Sequence, residues 1–295
     1  MAEYTIIGIG EILWDEFAGY KELGGAPSNF AFHAGQLGAR GIIISRVGDD
    51  LKGNEIRTLL DKKKISYILP CDPDHPTGRV SVKTNEKGIP EYIIHEDSSW
   101  DFLSFDPSLA LSARTADAVC FGTLAQRNPV SGKTIKKFIR ATKKTCLKIF
   151  DINLRQDYYS KTMIFDLLSY ADILKLNHEE LIVISKMFLT RKEETACLEE
   201  LISMFCLDMI VLTKGKNGSR IFVDKNNDSV YKPEAIEIID SVGAGDSFTA
   251  VVALGLLNDF SLDRINKTAN LVAAYVCSQK GATPVIPKEI IQSLN

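Results

Sequence analysis

Between Ala118 and Leu212 four short apolar runs recur: Ala118 to Phe121, Leu147 to Phe150, Ile173 to Leu176 and Met209 to Leu212. Stretches with helical periodicity separate them: Thr134 to Lys144, Lys161 to Tyr170 and Glu193 to Phe205. This alternation constrains the fold more than any other feature. Short continuous apolar runs suit strands buried on both faces, and parallel neighbours need a crossover, usually a helix. The expected class is therefore α/β, with a mostly parallel sheet and helices on both faces.

The first part of the chain obeys the same rule with one interruption. Tyr4 to Ile9 reads as a buried strand closed by glycine. Pro27 opens a helical pattern with Phe30, Ala31, Ala34 and Leu37 on one face, and Gly38 stops it. Ile42 to Ile44 is the next strand. Leu51 to Lys64 is a helix with Ile56, Leu59 and Leu60 inward. From Thr77 to Glu96 the period changes. Val80 to Lys83 and Tyr92 to His95 flank Glu86-Lys87-Gly88, an antiparallel hairpin inserted into the alternating chain, with Val80, Val82 and Ile94 on one face. Two helical segments close the chain, Gly245 to Leu257 and Leu262 to Gln279.

Composition excludes several classes. With 295 residues, 45% hydrophobic and 25% charged, the chain can bury a substantial core as one large α/β unit or two smaller ones. A net charge of −3 gives no basic excess for general affinity to nucleic acid or anionic membranes. No apolar run approaches the ~20 residues of a membrane span, and Met1 to Ile7 lacks the basic start of a secretory signal. The six cysteines (71, 120, 146, 197, 206 and 277) show no ligand spacing; Cys120, Cys146, Cys206 and Cys277 lie in apolar segments. They read as free buried thiols in a reducing cytoplasm.

The segment richest in chemistry is Asp240-Ser241-Val242-Gly243-Ala244-Gly245-Asp246. Gly-Ala-Gly leads into an apolar helix whose first amides have no helical partner, so the turn is suited to an anion such as phosphate. A carboxylate at that spot, Asp246, can accept a proton from an attacking hydroxyl. The plain alternative is a helix start with an acidic residue favouring the dipole. The second segment is Gly24-Gly25-Ala26-Pro27-Ser28-Asn29. Two glycines allow close backbone approach, and Asn29 offers both a donor and an acceptor to a polyol; a simple turn is the alternative.

Together these segments resemble the paired signatures of the ribokinase-like, or PfkB, carbohydrate kinases, with Ser241 in place of the usual threonine. Arg46 to Gly53, Asn177-His178-Glu179-Glu180, Thr213 to Gly218 and Lys280-Gly281-Ala282 resemble further motifs of that family, so the likeness spans nearly the whole chain. Phe121 to Arg127, Asp151 to Arg155 and Ser98-Ser99-Trp100-Asp101 resemble fructokinase segments; Asp-x-Asn-x-Arg also occurs in 2-keto-3-deoxygluconate kinases.

The resemblance implies a single ribokinase-like domain over residues 1–295 with a small β-lid formed by about 14–24 and 77–100. It implies transfer of the γ-phosphate of ATP to a sugar, with fructose the leading substrate. Asp246 would take the hydroxyl proton, and the Gly243, Ala244 and Gly245 amides would hold the developing charge. Asp15, Gly24, Gly25, Asn29 and Arg155 would bind the sugar. Asn177, Thr213, Lys214, Gly215, Gly218 and Asn270 would lie along the nucleotide. Magnesium would reach Asn177 and Glu180 through water. Asp240, Val242 and Gly281 would surround a monovalent cation, usually potassium. A homodimer contact through the lid is the plain alternative for its sheet face, since an exposed face is also a natural partner surface.

Other patterns are weaker. Gly132-Lys133-Thr134 lacks the earlier glycine of a P-loop, where Arg127 stands, and Ser131 reads instead as a helix cap. Gly8 and Gly10 lack the third glycine of a dinucleotide turn, where Leu13 stands; this disfavours a dehydrogenase. His33, His75, His95 and His178 have no ligand spacing; His33 reads as structural and His178 as surface. Ribokinase, 2-keto-3-deoxygluconate kinase and a non-catalytic sugar- or nucleotide-binding regulator remain the alternatives. Asp246 speaks against the regulator, since binding alone needs no base.

Overall fold

The computed structural model describes residues 4–84, 90–234 and 236–292. The chain opens with β1 (Thr5–Ile9), β2 (Leu13–Phe17), β3 (Tyr20–Gly24) and helix α1 (Ala26–Gln36). Next come β4 (Arg40–Ile44), the two-residue β5 (Val47–Gly48), α2 (Leu51–Lys62), β6 (Ser66–Ile68), the two-residue β7 (Cys71–Asp72), β8 (Arg79–Thr84) and β9 (Pro90–Ile94). The alternating part follows: α3 (Pro107–Thr115), β10 (Ala118–Phe121), α4 (Pro129–Ala141), β11 (Leu147–Asp151), α5 (Lys161–Leu168), β12 (Ile173–Asn177), α6 (His178–Phe188), α7 (Glu194–Phe205) and β13 (Met209–Thr213). It ends with β14 (Ser219–Asp224), β15 (Asn227–Tyr231), α8 (Ala244–Leu257), α9 (Leu262–Cys277) and α10 (Lys288–Gln292).

Nine strands form one sheet in the order β15-β14-β13-β12-β11-β10-β1-β4-β6. Pairing is parallel from β6 through β13 and antiparallel at β13-β14 and β14-β15. Successive residues of these strands point to opposite faces, so each run feeds two cores. Ile7, Phe121, Phe150 and Leu174 pack with Leu109, Ile135, Ile164 and Leu198 of the α3, α4, α5 and α7 helices. Ile6, Cys120, Ile149 and Ile173 pack with Phe30, Phe248 and Ile265 of α1, α8 and α9. The chain leaves β1 toward β4 and β6, then returns to β10 on its other side. Such a reversal leaves a crevice at the carboxyl ends of the strands, where ligands of open α/β sheets bind.

A second sheet, in the order β3-β2-β8-β9, stands over this edge. The β8 and β9 strands pair antiparallel, with Val80 opposite Ile94 and Val82 opposite Tyr92. Val80 and Ile94 are buried in the core, whereas Val82 is only partly covered. The hairpin's expected turn, Glu86-Lys87-Gly88, lies outside the described residues.

Several expectations need correction. Ser131 does not cap its helix: α4 begins earlier, at Pro129, and Asn128 accepts the Val130 amide. Ser131 is instead a buried bridge, donating to the Trp100 carbonyl and accepting from the Leu103 amide. The α2 helix stops at Lys62, two residues early, and Lys64 turns left-handed with φ 55°. The cysteines are free, but only Cys120, Cys146 and Cys197 are buried; Cys206, a left-handed residue ending α7, is exposed, as is Cys71. His33 is buried and His178 exposed, as expected.

Candidate active site

The turn before α8 sits where its glycines allow. Gly243 has φ 78°, and a Cβ there would overlap the Ala282 carbonyl oxygen. This conformation and close approach suit glycine alone. It opens the first turn of α8, where Ala244 and Gly245 precede Asp246. The Asp246 carboxylate accepts a 2.9 Å hydrogen bond from Asn29 Nδ2, so residues far apart in sequence meet at one point. Asn29 lies in the first half of α1, which Gly25 caps with φ 112° and which carries Pro27 in its first turn. A Cβ on Gly25 would overlap the Glu11 carbonyl, to which Ser28 Oγ also donates (3.0 Å).

Burial pushes the Asp246 carboxyl up to about 6, reinforced by Asp151 and opposed by Lys175, the Asn29 hydrogen bond and Arg155. That value suits a base that is ionised near neutrality yet accepts protons well. Asp15, on β2 of the second sheet, is also raised to about 6, first by burial and then by Glu22 and Asp240, with Arg155 opposing. Glu22 faces it across the β2-β3 ladder, and Gly24, two residues further along β3, lies so close that any Cβ there would strike the Asp15 carboxylate. The Arg155 side chain is exposed and hydrogen-bonds only to the Leu154 carbonyl (3.3 Å) among the described residues. It acts on Glu11, Asp15 and Asp246 through charge.

The remaining expected residues fall into two groups. Asn177 and Glu180 share a reciprocal capping box at the start of α6. Glu180 also accepts the Leu154 amide (2.9 Å), so backbone donors engage both of its carboxylate oxygens. Asp240 accepts the Val242 amide (3.0 Å) with one oxygen and the Gly281 amide (3.1 Å) with the other, tying the expected cation residues together. Thr213 ends β13, Lys214 pairs with Glu194 (2.7 Å), and Gly215 and Gly218 adopt positive φ in the following turn. Asn270 lies in the buried seam between α9 and β14, donating to Ser219 Oγ (2.6 Å) and to the Asn266 carbonyl (2.8 Å).

Two charged residues at the same edge, Glu11 and Lys175, escaped the motif reading, and a third, Asp151, was read only as the start of Asp-x-Asn-x-Arg with no role of its own. Lys175 Nζ lies 3.0 Å from Asp151 Oδ1, and both side chains are buried. Glu11 is 2% exposed, and its Oε2 finds no hydrogen-bond donor among the described residues. Burial drives this carboxyl up to about 7. The available signal was a charge set inside or just after an apolar run, which is rarely tolerated without a task or a partner.

The fold thus brings a glycine-opened helix start, a buried carboxylate beside it and a small sheet together at one edge, an arrangement suited to a small-molecule kinase. The pfkB family carbohydrate kinase profile matches residues 11–289, and the chain belongs to that family. A protein named Putative sugar kinase PH1459 from Pyrococcus horikoshii is 32% identical over 275 residues, covering 89% of this chain and 83% of that protein. Its structure in complex with ATP superposes with a TM-score of 0.82 over 100% of both chains; this fuller alignment is 24% identical. A protein named Probable fructokinase-3 from Arabidopsis thaliana is 27% identical over 97% of this chain and 89% of its own. The fructokinase of Vibrio cholerae O395, solved with fructose, ADP and calcium, superposes with a TM-score of 0.82 at 22% identity, covering 99% of each chain.

Proposed function

We propose that this sugar kinase is a fructokinase that transfers the γ-phosphate of ATP to the 6-hydroxyl of D-fructose. The observation that carries the transfer chemistry is the Asp246 carboxylate held by Asn29 beside the Gly243-Gly245 helix start. The fructokinase names among its relatives support the sugar. Asp246 accepts the hydroxyl proton as the oxygen attacks the γ-phosphorus and the bond to ADP breaks. The amides of Gly243, Ala244 and Gly245 stabilise the charge on the transferred group. Asp15, Gly24, Gly25, Asn29 and Arg155 form the sugar side of the crevice. Thr213, Lys214, Gly215, Gly218, Asn177 and Asn270 mark the nucleotide side, with Asn270 acting from beneath β14.

The donor set fits a metal carried in on phosphates. No group of three metal-ligating side chains occurs among the described residues. Mg²⁺, which keeps several waters, would be held through water by Asn177 and Glu180 and would neutralise phosphate charge. A potassium ion fits beside Asp240, Val242 and Gly281. Glu22 there is raised by burial and by the Asp240 charge, a surplus of negative potential that a cation relieves.

An ADP-release assay across fructose, ribose, 2-keto-3-deoxygluconate and nucleosides tests the substrate. Fructose is expected to give the highest kcat/KM by at least about tenfold, a margin of ~1.4 kcal/mol in transition-state binding. A higher value for any other acceptor overturns fructose. The second sheet is proposed as the lid over the sugar. Fructose should then slow hydrogen exchange at the amides of Val80 to Val82 and Tyr92 to Ile94 more than ATP does. Unchanged exchange rejects the lid. Its outer residues Tyr20, Tyr92 and Ile93 are exposed. Protection that grows with protein concentration in the absence of sugar would mark the lid as a homodimer face.

A further inference from the structure

Lys175 occupies an unusual place. It interrupts the apolar strand β12 and is buried, and its Nζ stands 2.9 Å from where a Gly245 Cβ would be. Asp151 on β11 holds it through Oδ1, while the other Asp151 oxygen accepts from Thr249 Oγ1 (3.3 Å) of α8. Stability does not explain the pair, because replacing a buried ion pair with apolar side chains is often neutral or favourable. Its position does: the ammonium lies against the helix start where an anionic group is expected to land.

We infer that Lys175 is a positioning residue for phosphoryl transfer: its ammonium, pinned by Asp151 against the Gly245 backbone, is the fixed positive charge of the site and acts through the Asp246 carboxylate. The inference rests on the proposed role of Asp246 as proton acceptor. Lys175 interacts electrostatically with three carboxylates, Asp151, Glu180 and Asp246. Around Asp246 stand Glu11 after β1, Asn29 on α1, Cys120 on β10, Asp151 on β11 and Arg155 just beyond it, and Lys175 on β12. Glu180 on α6 acts through Lys175. The Cys120 thiol is pushed well up by burial and stays neutral. Of the two cations that act on Asp246 among the described residues, Lys175 is buried and held by Asp151, whereas Arg155 is exposed.

The test is the pH dependence of kcat/KM for the sugar at saturating ATP, in wild type, K175R, K175M, D151N, K175M/D151N and D246N. The acid limb reports the free-enzyme base. K175M should move it up by about one pH unit or more, the usual scale for losing an adjacent opposite charge. K175R should hold it near the wild-type position. D151N, which removes a negative charge, should move it down. The double variant should return it toward wild type, and the downward displacement of D151N gives a reading even if K175M alone does not fold. Should K175M, or D151N where K175M does not fold, lower kcat without its displacement, the lysine is merely structural and the inference fails. D246N tests the underlying assignment separately. If it keeps wild-type turnover and the same limb, Asp246 is not the base; if it is nearly inactive while the Lys175 and Asp151 variants leave the limb fixed, only the lysine role is rejected.

Discussion

Replacing Asp246 with asparagine is expected to lower kcat by about 10²–10⁴-fold, the range for loss of a positioned general base. The shape of the site should survive. The side-chain oxygen of the introduced amide could still accept from Asn29 Nδ2, which now bonds the aspartate at 2.9 Å. The substitution also removes a buried charge whose pKa burial has raised to about 6, so the melting temperature at pH 8 should not fall. ATP affinity, measured by calorimetry, should stay within a few-fold, because the amides at the α8 start are backbone groups. The discriminating result is turnover with intact folding: a well-folded D246N retaining more than half of wild-type kcat would refute the base. The expected loss is large because, under the proposed lid role of the second sheet, water would be kept from taking over the role.

The parts of the molecule differ in how openly the sequence displays them. The parallel strands were visible because burial on both faces forces unbroken runs such as Ile149-Phe150 and Ile173-Leu174. The antiparallel edge was not. In β14 and β15, Ser219, Arg220, Asp224, Asp228 and Ser229 interleave with apolar residues, and that pattern does not separate an edge strand from a loop. The α6 helix was hidden behind its own start, since Asn177-His178-Glu179-Glu180 reads as a binding motif while also being a capping box. Within the site, glycine turns and Asp246 were legible because backbone geometry restricts them to few residue types. Glu11, Asp151 and Lys175 were not, because a single charge beside an apolar run does not reveal which other charge it will meet. The Lys175-Asp151 contact joins two strands 24 positions apart in the chain, and only the parallel register of β11 and β12 brings them together.

Changing Glu11 to Gln is expected to stabilise the apo protein, increasingly so as the pH rises. Glu11 follows β1 at the strand-order reversal and is almost wholly buried, with one carboxylate oxygen lacking a donor among the described residues. Burial, with a further push from Asp246, raises its pKa from an ordinary 4.5 to about 7, against the pull of Arg155 and the amides of Glu11 and Ala26. The sign follows from proton binding. Between pH 4.5 and 7 the native state holds this proton more tightly than the unfolded chain, so stability declines as the pH rises through that window. At 1.36 kcal/mol per unit, the full cost above pH 7 is roughly 2–4 kcal/mol. Gln keeps the shape and a neutral amide, so it carries no such penalty. Asp15 and Asp246, both raised to about 6, tilt wild type and variant alike; they largely cancel when the two proteins are compared. Urea unfolding at a series of pH values should therefore show E11Q and wild type differing little near pH 4.5. The gap should widen by about 2–4 kcal/mol by about pH 8, with the variant the more stable. A gap that stays constant across this range would mean that Glu11 is not protonated in the folded protein, and that its carboxylate has a compensating partner in solution.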